Sequence, residues 1–353
     1  MRAAAITGYG GLENLAVIDV AAPAPAAGEV LVEIAYSGLN RADLFIRQGL
    51  TGPGVRQPRG LPHVLGVDGA GTVAELGSDT GPGVCVGDRV AVFPALSCGT
   101  CRHCRRGLTS RCAGYGLLGE DEWGLQRELI AIPAEKVLRI ADDLPLADAA
   151  AVPGAYTTAW TMVVTNGAIR PGERLLAVGA AGGVSIAAMQ IAAHAGAEIW
   201  ATTRDAGKAK RLADLPFVHR VFRTGAPGWS AEIVDASDGD GVDMVVDAVG
   251  GPSWPDSIRC LAQGGRMVIC GASGGDRPDI SIRELYQRNR RIIGSPFGGW
   301  NDFRDVYAFL ARSGVRPIID RILPLEQISD AHRLMEEQQH IGKLLLRCSG
   351  PVR

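Results

Sequence analysis

Between residues 175 and 270 the chain alternates short apolar runs with helix-like stretches, and this rhythm limits the fold more than any other feature. Leu175-Leu-Ala-Val-Gly179 precedes a helical stretch from Val184 to His194. Glu198-Ile-Trp-Ala-Thr202 precedes another from Gly207 to Leu215. Val242-Asp-Met-Val-Val-Asp247, a helix through Ile258 and Arg266-Met-Val-Ile-Cys270 repeat the pattern. Such alternation predicts a parallel sheet covered by helices on both faces. Residues 1 to about 150 read differently. Val30-Leu-Val-Glu-Ile-Ala35, Gly71-Thr-Val-Ala-Glu75 and Arg89-Val-Ala-Val-Phe93 are separated by Gly- and Pro-rich turns such as 77–83, which suggests a small barrel or sandwich. A length of 353 residues is long for one core and predicts two domains. The expected class is therefore α/β: a small β-barrel or sandwich domain plus a doubly wound parallel sheet. After Ile293 we expect a helix over Asp302–Arg312 and a terminal strand over Gly342–Arg347.

The bulk numbers exclude some functions. A net charge of −2 leaves no basic footprint for nucleic acid or an anionic membrane. The 23 residues from Leu175 to Ala197 carry no formal charge, long enough nominally to span a bilayer. They contain Gly-Ala-Ala-Gly-Gly at their centre, with Gln190 and His194, so a buried strand, turn and helix explain them better. The N-terminal residues have no sustained apolar run resembling a secretory signal. Cys85, Cys260, Cys270 and Cys348 are scattered, as reduced thiols are. A cytoplasmic location is expected.

The other four cysteines, Cys98, Cys101, Cys104 and Cys112, fall within fifteen residues as C-x2-C-x2-C-x7-C. Four thiolates at tetrahedral reach are what a closed structural Zn2+ site needs. An iron–sulfur run places its fourth cysteine closer and follows it with proline, whereas here the gap is seven and Ala113 follows. A zinc ribbon usually pairs two C-x-x-C knuckles across a longer spacer. One structural zinc per chain is expected, stapling a surface loop ringed by Arg102, His103, Arg105, Arg106 and Arg111.

The turn Gly179-Ala180-Ala181-Gly182-Gly183-Val184 lies between an expected strand and an expected helix, where backbone N–H groups can meet a pyrophosphate. Ser185 replaces the last glycine of the pattern G-x-x-G-G-x-G and offers a further phosphate donor. At the end of the next strand Thr203 stands where an acid would hold the ribose of NAD(H), with Arg204 and Lys208 beside it. Arginine suits a 2′-phosphate, so NADP(H) is expected. A one-step shift in register would make Asp205 the ribose ligand instead.

Taken together, the chain resembles the medium-chain dehydrogenase/reductase family. These are the zinc alcohol dehydrogenases and their zinc-free quinone and enoyl reductase relatives. The resemblance runs through 29–32, Gly38-Leu-Asn-Arg-Ala-Asp43, Gly66-Val-Asp-Gly-Ala-Gly71, the cysteine lobe, the glycine turn, 241–250, 264–271, 294–299 and Gly342-Lys343. It implies a GroES-like domain over residues 1–155, completed by 297–353, and a Rossmann domain over 156–296, with the active site in the cleft. It also implies a small-molecule substrate and a homodimer or tetramer, with no nucleic-acid or membrane partner.

The departures from that family carry the functional information. Where zinc alcohol dehydrogenases have a zinc-binding cysteine, a histidine and a third ligand, this chain has Asn40, Val67 and Gly154. The proton-relay hydroxyl expected nearby is Ala42, and a tyrosine of relatives is Phe45. Catalytic zinc is therefore expected to be absent. Without that Lewis acid, hydride transfer to an activated C=C (an enone or enoyl thioester) or a quinone is easier than alcohol oxidation. The resemblance assigns catalytic roles to Asn40 and Asp43, Asn40 as hydrogen-bond donor and Asp43 as the residue that orients its loop. It assigns nicotinamide contacts to Thr158, Cys270, Gly271, Ala272 and Phe297, and a phosphate contact to Lys343. Tyr156, His63 and solvent are candidate proton sources; Arg41 and Arg47 are candidate attractors of an anionic substrate. Two alternatives remain: a zinc-independent alcohol or sugar dehydrogenase, and a non-catalytic NADPH-binding or sensor protein.

Overall fold

The computed structural model describes residues 1–52, 55–225 and 228–350. The chain forms two compact units, one of Met1–Ala155 with Gly299–Arg353 and one of Tyr156–Gly298.

The first unit is built on the ten-residue strand Glu29–Gly38. One edge pairs antiparallel with Ala70–Leu76. Its other edge is shared: Leu129–Pro133 pairs over Glu29–Glu33, and Lys343–Arg347 pairs over Tyr36–Gly38. Val30, Val32, Ile34, Leu344 and Leu346 are all fully buried, and the helix Ile328–Glu336 adds Ile328, Ala331 and Met335 to the same core. Burying each of these larger aliphatic side chains contributes about 1.5–3 kcal/mol against exposure. The chain's far end is thus woven into its beginning. The consequence is positional. Leu345 lies opposite Gly38, so the same register carried two residues further sets Lys343 opposite Asn40. On the other edge Tyr36 lies opposite Ala70, which sets Asp68 opposite Gly38.

The second unit holds a six-stranded, all-parallel sheet. Its spatial order is Arg220–Arg223, Glu198–Thr203, Arg174–Val178, Val242–Asp247, Leu261–Ile269, Arg291–Gly294. The chain enters at a central strand, runs outward to one edge, then crosses to the other side. Order reverses between Arg174–Val178 and Val242–Asp247, where doubly wound folds bind ligands. The uncharged stretch resolves into that first strand and the helix Gly183–His194. Residues Ser185 to Ala192 of this helix are all buried, which explains its alanine-rich sequence without a polar face. Among the described residues no helix is long and apolar enough to cross a membrane. The strand Arg220–Arg223 and helix Ser230–Ala236 were not expected; two apolar residues flanked by arginines carry too weak a strand signal.

Candidate active site and metal centre

The first unit carries a buried polar cluster where its three strand ends converge. Asn40 sits just ahead of the helix Arg41–Arg47, and its backbone N–H donates to Asp43 Oδ2 at 2.7 Å. The other oxygen of Asp43 accepts from the Gly66 N–H at 3.1 Å. Asp43 is fully buried, so it ties two loops together and presents nothing to a substrate. Asp68, also fully buried, accepts from Asn40 Nδ2 at 2.9 Å and from Lys343 Nζ at 2.7 Å. Its second oxygen accepts from the Gly154 N–H. Lys343 further donates to Leu39 O at 2.6 Å and Asn40 Oδ1 at 2.8 Å.

The four-cysteine lobe converges as its spacing implies. The four Sγ atoms lie within 4.8 Å of one another. Cys98 and Cys112 are 3.5 Å apart, Cys101 and Cys104 are 3.6 Å apart, and Cys98 and Cys104 are 4.0 Å apart. Four sulfurs at about 2.3 Å from one zinc would be separated by similar distances, and a disulfide requires about 2.05 Å. Backbone N–H groups aim at the sulfurs: Cys104 N–H at Cys101 Sγ and Gly114 N–H at Cys112 Sγ. Such donors favour thiolate over thiol. The residues therefore fit a tetrahedral zinc.

In the second unit, residues expected to bind cofactor gather at the C-terminal ends of the parallel strands. Gly179 takes φ of +64°, and a Cβ there would stand 2.7 Å from Val249 Cγ2. Gly182 caps the twelve-residue helix Gly183–His194 without any side-chain bond, so the helix's first N–H groups stay available to an anion. That arrangement fits a pyrophosphate. Ser185 is not a further phosphate donor: it is 1% exposed and its hydroxyl donates to Val178 O at 3.3 Å. Thr203 ends its strand, Arg204 is exposed just beyond, and Lys208 lies in the helix Ala206–Ala213. Asp205 caps that helix, with Oδ1 accepting the Lys208 N–H at 2.7 Å. Arg223, which sequence reasoning passed over, pairs in register with Thr203 and donates to Arg204 O at 3.2 Å. Cys270, Gly271 and Ala272 follow the strand Leu261–Ile269. Burial and the nearby charge of Asp247 push the Cys270 thiol up to about 12, so it is no nucleophile at neutral pH. Thr158 lies on the helix Ala155–Trp160, and Phe297 follows the outer strand Arg291–Gly294.

Comparison with known proteins agrees with both halves of this description. Residues 26–142 match the alcohol dehydrogenase GroES-like domain, and residues 183–312 match the zinc-binding dehydrogenase domain. A zinc-type alcohol dehydrogenase-like protein of Schizosaccharomyces pombe is 30% identical over 91% of each chain. The chain belongs to the medium-chain dehydrogenase/reductase family. An acryloyl-coenzyme A reductase of Sulfurisphaera tokodaii is 27% identical over 93% of this chain and 95% of its own. A solved NAD-dependent alcohol dehydrogenase superposes with a TM-score of 0.91 at 34% identity, covering 99% of this chain and 100% of that one.

Against the medium-chain dehydrogenase pattern, the residues at the catalytic-zinc position do not fit a metal. Val67 is buried and apolar. Gly154 has no side chain to ligate a metal, and a Cβ there would stand 2.7 Å from Asp68 Oδ1 and 3.1 Å from both terminal atoms of Asn40.

Several expected roles change with these contacts. Lys343 is 3% exposed and its three N–H groups meet three acceptors, which leaves none for a cofactor phosphate. Arg47 is 1% exposed and pairs with Glu336, so it does not attract anionic substrates. His63 is 2% exposed with Nε2 at 3.1 Å from Gly119 O, and burial lowers its pKa. The Tyr156 hydroxyl, buried in the second unit, donates to Gln190 Oε1. Neither serves as a proton source. Asp68 was missed; the signal available was a carboxylate beside the lost histidine in Gly66-Val67-Asp68.

Asp43 carries a testable pH dependence. Burial lifts its carboxyl from 3.8 to about 7; the Asp68 charge adds to the rise, and the Asn40 and Gly66 N–H groups and Lys343 oppose it. A carboxyl raised on folding contributes its full stability below the unfolded value, and that contribution is lost as pH rises through the folded one. The stability of wild type relative to Asp43→Asn should therefore fall between about pH 4 and pH 7.5, by at most about 4 kcal/mol at about 1.4 kcal/mol per pKa unit. Urea unfolding of both proteins across that window checks it, and a flat difference would contradict it.

Proposed function

We propose that the chain is an NADPH-dependent reductase that delivers hydride to an activated C=C of an enone or enoyl thioester, or to a quinone. The observation that carries this reading is the set of residues at the family's catalytic-zinc position: Asn40, Val67 and Gly154 supply no ligand set, and Asn40 and Asp68 lie against Gly154. Oxidising a plain alcohol without a Lewis acid leaves the alkoxide unsupported. Reduction of a conjugated acceptor leaves its negative charge on an oxygen that hydrogen-bond donors can stabilise. NADPH, when bound, supplies the hydride.

The chain's own residues divide the remaining work. Gly179, Ala181, Gly182, Gly183 and Val184 hold the pyrophosphate on backbone N–H groups. Arg204 pairs with the 2′-phosphate, with Arg223 and Lys208 close in the fold. Thr158, Cys270, Gly271, Ala272 and Phe297 frame the nicotinamide. Asn40 Nδ2–H stabilises the enolate-like oxygen, and solvent returns the proton. Cys98, Cys101, Cys104 and Cys112 hold one structural zinc and do no chemistry. The acryloyl-coenzyme A reductase relative supports an enoyl thioester as the acceptor class.

The NAD-dependent alcohol dehydrogenase supports a second reading on both cofactor and substrate. Against it stands Asp205, whose carboxylate is engaged in capping its own helix while Arg204 is free to meet an anion. Arg204→Ala should erode the NADPH-over-NADH preference roughly tenfold or more, since one charge-assisted contact is worth about 1.5–3 kcal/mol. Fluorescence titration with both cofactors measures this. A wild-type protein that binds NADH more tightly would overturn the cofactor assignment. The reaction is tested by initial rates of NADPH consumption with enone, enoyl thioester and quinone acceptors, set beside NADP+-dependent oxidation of primary alcohols. Oxidation of alcohols with no activity on any such acceptor would favour the second reading.

A further inference from the structure

We propose that Lys343 and Asp68 form a fixed ion pair that holds the Asn40 amide in the one orientation that serves a substrate oxygen. The inference rests on the reductase reading for Asn40 and adds two positioning residues to it. Lys343 is 3% exposed and Asp68 is fully buried, so each charge depends on the other for compensation. Their separation of 2.7 Å supplies it.

Asn40 lies between them. Its Oδ1 accepts from the ammonium at 2.8 Å, and its Nδ2 donates to the carboxylate at 2.9 Å. A flipped amide would set N–H against ammonium and oxygen against carboxylate, so only one orientation is allowed. That orientation uses one of the two N–H groups of Nδ2. The other has no acceptor among the described residues, on a side chain that remains partly open to solvent. The two charges act on the amide in opposite senses, so the pair contributes placement rather than a stronger donor. The cage is completed by Leu39 O on Lys343 and the Gly154 N–H on Asp68. The sequence brings these groups together from residues 40, 68, 154 and 343, which is why a change at any one bears on Asn40.

A double-mutant cycle on the full-length protein separates this role from a structural or cofactor-binding one. Lys343→Met should lower kcat with the acceptor that wild type reduces by about tenfold or more, since a loosely held donor stabilises less charge. Its Kd for NADPH should stay within about twofold of wild type, because no N–H group of Lys343 is left over for a phosphate. Added to Asn40→Ala, Lys343→Met should lower kcat no further, as expected for residues acting through one group. Multiplying effects would overturn the proposal. A rise in NADPH Kd of about tenfold or more, the loss of one charge-assisted contact, would overturn it in favour of a phosphate contact. If Lys343→Met does not fold, the charge-neutral pair Lys343→Met/Asp68→Asn is carried through the same cycle with the same expectations.

The orientation is also read without turnover. The separation between the two Asn40 side-chain NH2 proton resonances, kept distinct by slow rotation about the amide C–N bond, should shrink from its wild-type value toward that of a free asparagine side chain in the Lys343 variant. An unchanged pair would refute the positioning role whatever the substrate proves to be. If wild type reduces no conjugated acceptor but oxidises an alcohol, the reductase reading falls and the cycle is run on the alcohol. If it turns over nothing, the amide resonances decide.

Discussion

Asn40→Ala should lower kcat for a conjugated acceptor by about 10²–10³, the usual cost of losing one principal donor to a developing oxyanion. NADPH affinity should hold within about twofold, because the loss falls in the charge-stabilising step and not in cofactor binding. The magnitude follows from how the donor is held. Asn40 has both ends of its amide fixed, by Lys343 at 2.8 Å and Asp68 at 2.9 Å, so its remaining N–H is preorganised. Truncation also leaves Lys343 and Asp68 each short of one hydrogen-bond partner, at a stability cost of about 1–3 kcal/mol. Turnover must therefore be counted per folded molecule. Steady-state kinetics at saturating NADPH gives the answer, and a kcat within about threefold of wild type would mean that other donors stabilise the charge.

Cys101→Ser should have the largest effect on stability and little on chemistry. The Sγ atoms of the lobe sit within 4.8 Å of one another, and among the described residues this is the one His/Cys/Asp/Glu grouping with metal-binding proximity. Structural zinc contributes about 10–16 kcal/mol in isolated zinc-finger peptides. Here the lobe spans only residues 98–112, and most of the first unit's core lies outside it. Loss of the metal should thus loosen the lobe and cost a few kcal/mol overall, lowering Tm by on the order of 10 °C at about 2–4 °C per kcal/mol. Zinc content should fall to zero. Calorimetry with metal analysis reads both, and a variant that keeps its Tm but loses turnover per folded molecule would assign the zinc a chemical role.

The parts of the structure legible in the sequence are those set by local pattern. The cysteine spacing is local, and so is the strand–turn–helix rhythm from Leu175 to Cys270; both converge as their period implies. The strand Arg220–Arg223 was hidden because its four residues are half arginine and it lies at the sheet's edge, where burial imposes no apolar run. Lys343 illustrates the harder case. The family resemblance implied a reach toward the cofactor phosphates. Which way a long side chain points depends on strand register across 303 residues of chain, and that register brings it to Asn40. Asp68 was overlooked for a related reason. The carboxylate beside Val67 gains meaning only when Lys343 and Gly154 are adjacent to it in space.

The central claim is that this medium-chain dehydrogenase transfers hydride with no metal at the reacting centre. Counting zinc in protein that is actively turning over tests it most directly. The account predicts about one zinc per chain, held by the four cysteines, and undiminished NADPH-dependent reduction when a chelator leaves that ion in place. Two zinc ions per chain, or turnover that rises and falls with a second, exchangeable ion, would contradict it.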